Sequence, residues 1–503
     1  MNNPLAAPLR FVDDMLNKIP MYKVAWGLGG LLVIAIIYAA TGVLSLSAWG
    51  LAISTVLLAV VCYVSNQLFA RLFRVATNAE SWIITAFILA LIVPPADSLG
   101  RGLAIAAIGV VAMAVKYLLV IRGSHIFNPA AAAAVVGSLT GILPITWWVG
   151  SPPMLPFTVL LGLLVLRKTR RFELFFSFAA AGLAMMLLVG GMQGAPIMTT
   201  LSNALLSWPL VFMGTIMLTE PATLPAGRLN MVLYGALVGV IFGSQLHGGG
   251  ISASPHLALL IGNVFSALLT PKRTLQVQLK KRTEMAQNLY DFAFEVPAGK
   301  HLPYQPGQYA EWTLPYKRDD LRGNRRTFSL ASAPSEADLH IGIKTYEPSS
   351  SFKQKLLALQ PGDYIQVGHV GGSFTLPEDA SQKLLFIAGG IGITPFRSML
   401  QAIVADAAQN GRKPWDIVLI YAVRSQAEVA YKDVLATAQS HGLKLVVLTE
   451  LLTAESLRAA APDAAARQVY ISGPDAMVRA TKALLATTGL PRRHIKTDYF
   501  TGY

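Results

Sequence analysis

Over the first 270 residues the hydrophobic positions run in long unbroken stretches; beyond them they alternate with polar ones. The stretches near 24–45, 47–69, 81–97, 101–121, 128–147, 155–166, 172–191, 203–220, 229–245 and 256–270 predict helices, most of them long enough for a bilayer. At about 20 residues per crossing this makes about ten spans, with 81–97, 155–166 and 256–270 the shortest. The pattern changes abruptly at Pro271. Thr274-Leu275-Gln276-Val277-Gln278-Leu279 alternates like a half-buried strand, and short strands continue to about Pro377. Farther on, apolar runs at 384–388, 417–421, 444–448 and 468–471 are separated by helical stretches, the pattern of a parallel α/β sheet. The expected architecture is a polytopic all-α membrane domain at 1–270, a β-domain at 271–377 and an α/β domain at 378–503. No flexible linker parts the last helix from the first strand, so the soluble part is expected to be held at the membrane face.

Composition supports the membrane half: 53% of residues are hydrophobic, 14% are charged, and mean hydropathy is +0.50. The net charge of +14 invites a nucleic-acid reading. Its distribution argues otherwise, because the basic residues sit beside apolar spans. Arg71, Arg74, Arg122, Arg167, Lys168, Arg170, Arg171, Arg228, Lys272 and Arg273 fall on one side of the predicted spans, and only Arg101 on the other. The positive-inside rule then gives a multi-pass protein of the bacterial cytoplasmic membrane with both termini cytoplasmic, the lipid bilayer as partner, and no nucleic acid. The first twenty residues carry Asp13 and Asp14 and lack a continuous apolar core. The first span is therefore expected to stay in the mature chain.

The scarce residue types narrow the chemistry. Cys62 is the single cysteine, so this chain alone can ligate no iron–sulfur cluster and build no disulfide framework. The membrane half has only His125, His247 and His256, all in or beside predicted loops, which argues against a haem held by paired histidines. Glu80, Asp97, Glu173 and Glu220 lie near span ends, which counts against an ion pump. No metal site is expected.

Three signals in the soluble half carry chemistry. In Asn324-Arg325-Arg326-Thr327-Phe328-Ser329-Leu330-Ala331-Ser332, Arg326 offers a fork of donors to a pyrophosphate. Phe328 offers a ring to pack flat on an isoalloxazine, and Ser329 a hydroxyl for its redox-active nitrogen. Ser349-Ser350-Ser351 opens a helix and presents hydroxyls and free N–H groups to phosphate. Gly389-Gly390-Ile391-Gly392-Ile393-Thr394-Pro395 follows a buried strand; its glycines let backbone approach a ligand, Thr394 can cap, and Pro395 suits the first helical turn. Gly473-Pro474 follows the last of the apolar runs, at another carboxyl end.

Taken in order and spacing, RRTFSLAS, AGGIGITP, YISGPDAM and the terminal Asp498-Tyr499-Phe500-Thr501-Gly502-Tyr503 resemble the ferredoxin–NADP⁺ reductase superfamily over about 271–503. The resemblance implies a six-stranded antiparallel barrel for FAD followed by a nucleotide-binding domain for NAD(P)H. Tyr309, Arg326, Thr327, Phe328, Ser329, Lys344, Ser350 and Ser351 would then bind FAD. Gly389, Gly390, Gly392, Thr394, Pro395, Arg424, Gly473 and Pro474 would bind NAD(P)H. Ser329, Ser472 and Phe500 would stand at the reacting rings, with Phe500 shielding the flavin. Where many members have Cys-Gly-Pro this chain has Ser472-Gly473-Pro474, so hydride transfer is expected to be tuned differently. Arg424 suits a 2′-phosphate and equally a solvated position, which leaves NADH and NADPH both open.

In the membrane half, His125-Ile126-Phe127-Asn128-Pro129-Ala130 and Thr219-Glu220-Pro221-Ala222-Thr223-Leu224-Pro225-Ala226-Gly227-Arg228 break the helical pattern. Together with Tyr234-Gly235-Ala236-Leu237-Val238-Gly239 they resemble the membrane flavin subunits of the Rnf complex and of the sodium-pumping NADH:quinone oxidoreductase. That resemblance covers about 20–270 and implies ten helices and a membrane-embedded flavin near His125, Asn128, Thr219, Glu220 and Thr223. The family's acceptor threonine for esterified FMN is not in register in Gly191–Thr200, so a non-covalent FMN or riboflavin is expected. The joint expectation is an NAD(P)H-dependent, FAD-containing oxidoreductase that passes electrons through a membrane flavin to an extracytoplasmic acceptor, a flavoprotein. Two rivals are a membrane NAD(P)H:quinone reductase and a transporter with a redox-sensing tail.

Overall fold

The computed structural model describes residues 11–13, 15–16, 23, 26–73, 81–121, 124–244, 247–248, 251–252, 254–270, 274–314, 324–410, 415–487, 490–491 and 494–500, without the side chains of 247–248, 251–252, 409–410 and 499–500. Asp14, Arg74, Glu80, Arg122, Pro271, Lys272, Arg273 and 501–503, used above, lie outside them. The chain forms two compact units, Met1–Lys272 and Arg273–Tyr503.

In the first unit each apolar stretch holds a helix: Gly27–Ala40, Ala48–Phe73, Ser81–Ile92, Leu99–Leu118, Pro129–Thr140, Leu155–Thr169, Phe172–Met192, Ile197–Leu206 with Leu210–Met217, Arg228–Ser244 and Pro255–Leu269. Among the described residues, Ala48–Phe73, Leu99–Leu118 and Phe172–Met192 are long and apolar enough to cross a membrane. Ile197–Leu206 with Leu210–Met217 makes a fourth if that bent pair is one span. Several others are shorter than the hydrophobic pattern because local chemistry stops them. Ser81–Ile92 ends before Pro94-Pro95, which disfavours helix. Pro129–Thr140 starts where Asn128 Oδ1 accepts the Ala131 N–H at 3.0 Å and stops at Gly141, whose φ of 69° is left-handed. The stretch expected at 203–220 breaks at Trp208-Pro209, bends by 57° and resumes as a π-helix over Met213–Met217. Phe172–Met192 and Arg228–Ser244 pack backbone to backbone: a Cβ on Gly239 would lie 2.3 Å from the Phe178 carbonyl oxygen.

The second unit contains two sheets. Strands β1 (Leu275–Ala286), β2 (Leu289–Glu295), β3 (Tyr309–Thr313), β4 (Arg325–Ser329), β5 (Asp338–Lys344) and β6 (Tyr364–Gly371) form an antiparallel sheet in the order β4-β3-β6-β1-β2-β5. Just past its two edges, the Ala331 N–H donates to the His340 carbonyl at 2.8 Å. Strands β7 (Leu384–Gly389), β8 (Ile417–Ala422), β9 (Lys444–Leu448), β10 (Gln468–Pro474) and β11 (Ile495–Phe500) form a parallel sheet in the order β9-β8-β7-β10-β11. Every residue of β7 is buried, as its continuous apolar run requires of a central strand covered on both faces. The polar strand β11 carries no such run and escaped the hydrophobic pattern.

A buried polar network joins the two sheets. Asp291 on β2 accepts from Tyr431 Oη at 2.9 Å and pairs with His340 Nδ1 at 2.7 Å. Arg397, from the helix Thr394–Asn410, donates to the Ala331 carbonyl at 2.9 Å, pairs with Glu336 and lies over the Tyr431 ring. Burial and the adjacent Asp291 carboxylate hold the Tyr431 phenol protonated. Tyr431→Phe leaves a buried carboxylate oxygen without its donor and is expected to destabilise this unit by about 1–2 kcal/mol. Thermal unfolding checks this through a lower midpoint; an unchanged midpoint contradicts it.

Candidate functional site

On the antiparallel sheet, β3 pairs with β4 so that Tyr309 faces Ser329, Ala310 faces Phe328 and Trp312 faces Arg326. Because side chains alternate along a strand, Arg326 and Phe328 share one face and Thr327 and Ser329 the other. The Arg326 guanidinium lies 5.3 Å from the Phe352 ring centre, and Phe328 leans on the same ring at 5.8 Å and 45°. Phe352 belongs to the helix Ser351–Ala358, where Ser350 is the N-cap and accepts from the Lys353 N–H at 3.4 Å. Ser349 Oγ, one residue earlier, is buried without a hydrogen-bond partner. Arginine, helix N-terminus and unpartnered hydroxyl together fit a dinucleotide's phosphates. Tyr309 lies with its ring against the backbone of Gly371 and Gly372.

Lys344 Nζ pairs with Glu428 at 2.7 Å, both side chains largely buried, and so ties the two sheets together. Glu428 carried no signal in the sequence, since a lone acid in a loop reads as solvated.

At the carboxyl end of the parallel sheet, Gly389 ends β7 and Gly390 adopts φ 52° before a single 3-10 turn to Ile393. The Gly390 carbonyl accepts from Tyr421 Oη at 3.0 Å. A Cβ on Gly392 would sit 2.2 Å from the Ser472 carbonyl oxygen. Thr394 and Pro395 are buried at the helix start. The Thr394 hydroxyl donates back to the Ile391 carbonyl at 3.1 Å. Arg424 is exposed after β8, and Pro474 is exposed beside the buried Gly473. This bare, glycine-lined backbone fits a nucleotide's phosphates.

The two sheets meet at three polar side chains. Ser472 on β10 is register partner of Ala388 on β7 and of Asp498 on β11. Ser329 Oγ donates to Asp498 Oδ2 at 3.3 Å. Ser472 is fully buried, and its Oγ has no hydrogen-bond partner. Burial pushes the Asp498 carboxyl up to about 6, against the lowering effect of the Ser329 bond. The structure thus gathers Ser329 and Ser472 around an acid that the sequence marked only as part of a terminal motif. Phe500 ends β11; its side chain lies outside the described residues.

The first unit has a cavity of about 110 Å³ bordered by Asn128, Thr219, Glu220, Lys168, Ser81 and apolar residues such as Leu28, Ile84 and Ile88. His125 stands beside the Glu220 of that border, with Nε2 3.7 Å from Glu220 Oε1. Asn263 bridges the walls, accepting the Asn128 N–H at 2.8 Å and donating to Tyr234 Oη at 3.0 Å. Thr223 is buried and spends its hydroxyl on the Glu220 carbonyl at 3.3 Å. The π-helix before Thr219 and the role of Asn263 had no signature in the apolar pattern.

Residues 386–483 match the oxidoreductase NAD-binding domain. The reductase subunit of a stachydrine N-demethylase from Rhizobium meliloti is 28% identical over 236 residues, 44% of this chain and 65% of that protein. The ferredoxin reductase component of a 3-ketosteroid-9-alpha-monooxygenase from Mycolicibacterium smegmatis is 29% identical over 45% of this chain and 65% of its own. A tetrachlorobenzoquinone reductase from Sphingobium chlorophenolicum is 29% identical over 46% and 69%. A solved cytochrome P450 reductase from Amycolatopsis aligns with TM-score 0.39 and 22% identity over 46% of this chain and 70% of its own. The C-terminal unit carries an oxidoreductase NAD-binding domain. The likeness supports FAD and NAD(P)H as its ligands. This chain spans 65% of the length of the first two relatives, and they match less than half of it.

Because the Asp498 pKa is raised above the usual carboxylate value of 3.8 to about 6, the folded state binds the extra proton between those values. Stability from this group is therefore full below about pH 4 and is lost as pH rises toward about 6. Asp498→Asn is expected to unfold at a higher temperature than the native chain at pH 7.5, with the difference closing by pH 4. Equal midpoints at pH 7.5 contradict the assignment.

Proposed function

We propose that this chain is an integral-membrane oxidoreductase of the bacterial cytoplasmic membrane that moves electrons from cytoplasmic NAD(P)H, through FAD and a second, non-covalent flavin among its helices, to an extracytoplasmic flavoprotein. The observation that carries the reading is the pairing, in one chain, of a reductase-type nucleotide unit with an apolar helical unit that holds a cavity with a largely apolar wall and a few polar side chains. A single cysteine leaves no iron–sulfur relay within the chain, so a flavin is the carrier that its residues can hold. The proposal includes ten spans with both termini inside and closure of the antiparallel sheet into a barrel.

Bound FAD would take the equivalent of a hydride from the nicotinamide and release electrons singly, chemistry that belongs to the cofactor. This chain's own residues bind and orient. Arg326, Ser350 and Ser351 hold the FAD phosphates, and Gly390, Gly392 and Thr394 receive those of NAD(P)H. The unpartnered Ser472 hydroxyl orients the nicotinamide where relatives of the resembled family carry a thiol. Ser329 and Asp498 hold a proton at the flavin ring, and the raised Asp498 pKa lets that proton leave near neutral pH. In the membrane unit, His125 Nε2 and Glu220 Oε2 are buried without a hydrogen-bond partner and lie on neighbouring side chains.

Inside-out vesicles containing the protein, with an impermeant flavin acceptor sealed inside, test the direction of flow. Added NADH or NADPH is expected to be oxidised while the sealed acceptor is reduced. Oxidation with the acceptor unchanged contradicts the conduit, and turnover restored by added quinone alone favours a quinone reductase.

A further inference from the structure

Two buried polar atoms in the membrane unit, His125 Nε2 and Glu220 Oε2, have no hydrogen-bond partner. His125 Nε2 stands 3.7 Å from the other carboxylate oxygen, too far for a hydrogen bond and near enough for one group to meet both side chains. The polar atoms around them are already committed. Thr219 Oγ1 donates to the Thr215 carbonyl at 2.8 Å, Thr223 Oγ1 donates to the Glu220 carbonyl, and Asn128 Oδ1 caps its helix. Buried polar groups left without partners cost free energy, and here two such atoms lie on neighbouring side chains, one of which, Glu220, borders the cavity.

We infer that His125 and Glu220 clamp the imide edge of a planar heterocycle, an N–H beside a carbonyl. An ionised carboxylate can only accept, so whatever meets Glu220 must bring a donor. The imidazole, with its proton on Nε2, donates to the neighbouring carbonyl. The pyrimidine end of a flavin presents this pattern, with N3–H between two carbonyls. An oxidised quinone presents acceptors alone and would leave Glu220 unpaired. The apolar wall of Leu28, Ile84 and Ile88 suits the hydrocarbon part of such a ring. The inference rests on the membrane-flavin reading above and names the edge of the ring that is recognised.

The test uses the purified full-length chain in detergent, first dialysed until its non-covalent membrane flavin is gone while its FAD is retained, and measures by equilibrium dialysis the binding of riboflavin, N3-methylriboflavin and a short-chain ubiquinone. Riboflavin is expected to bind, with N3-methylation weakening it at least about tenfold. Glu220→Leu is expected to bind both flavins equally and weakly. Glu220→Gln, which keeps an accepting oxygen, is expected to retain the preference for N3–H. If the native chain binds riboflavin and its N3-methyl form equally, the clamp is overturned while the membrane-flavin reading stands. If the quinone binds and riboflavin does not, both are overturned, as they are if nothing binds to a chain that elutes as one species. The comparison of the two flavins on the native chain needs no variant, so a misfolded Glu220→Leu leaves the decision intact.

Discussion

The reductase unit depends on one close approach of backbone to backbone. Gly392 lies so near the Ser472 carbonyl that no side chain could stand between them, and this contact seats the loop after β7 against the end of β10. Ser472 shares register with Asp498, and Asp498 takes the hydrogen bond of Ser329 from the other sheet. One steric constraint therefore carries placement from the loop after β7 to Ser329 on β4. Across the same seam, the Asp291–Tyr431–His340 network and the Lys344–Glu428 pair hold the sheets in register with groups too buried to be left unpaired.

The helical unit obeys the same rule of polar satisfaction. Its irregular backbone at His125–Pro129 and at Thr219–Pro225 is tolerated because side chains take up the freed groups, with Asn263 joining Asn128 to Tyr234. The π-helix over Met213–Met217 ends just before Thr219 and Glu220, which border the cavity. π-turns inside helices occur often at functional sites. Beside Thr219 and Asn128, whose polar atoms are committed, His125 Nε2 and Glu220 Oε2 stay without a hydrogen-bond partner.

Much of this was legible in the chain itself. Every long apolar stretch contains a helix, and the parallel strands start within a residue of their apolar runs, because burial on both faces leaves an unmistakable composition. Helix ends were less legible: Gly141 and Pro94-Pro95 stop helices inside stretches that stay hydrophobic. Strand β11 was missed because Lys496, Thr497 and Asp498 are polar yet lie beside a buried neighbour. In the candidate site, Arg326, Gly390 and Gly392 stand in local motifs that the chain shows by itself. The Lys344–Glu428 pair was not legible, because the partners are 84 residues apart and only tertiary structure brings them together.

The central claim is that a second flavin resides among the helices. The direct measurement is to purify the intact protein, denature it, and identify and quantify every flavin released and every flavin still attached. The account predicts FAD together with FMN or riboflavin, all of it released and none left on the chain. FAD alone would contradict it.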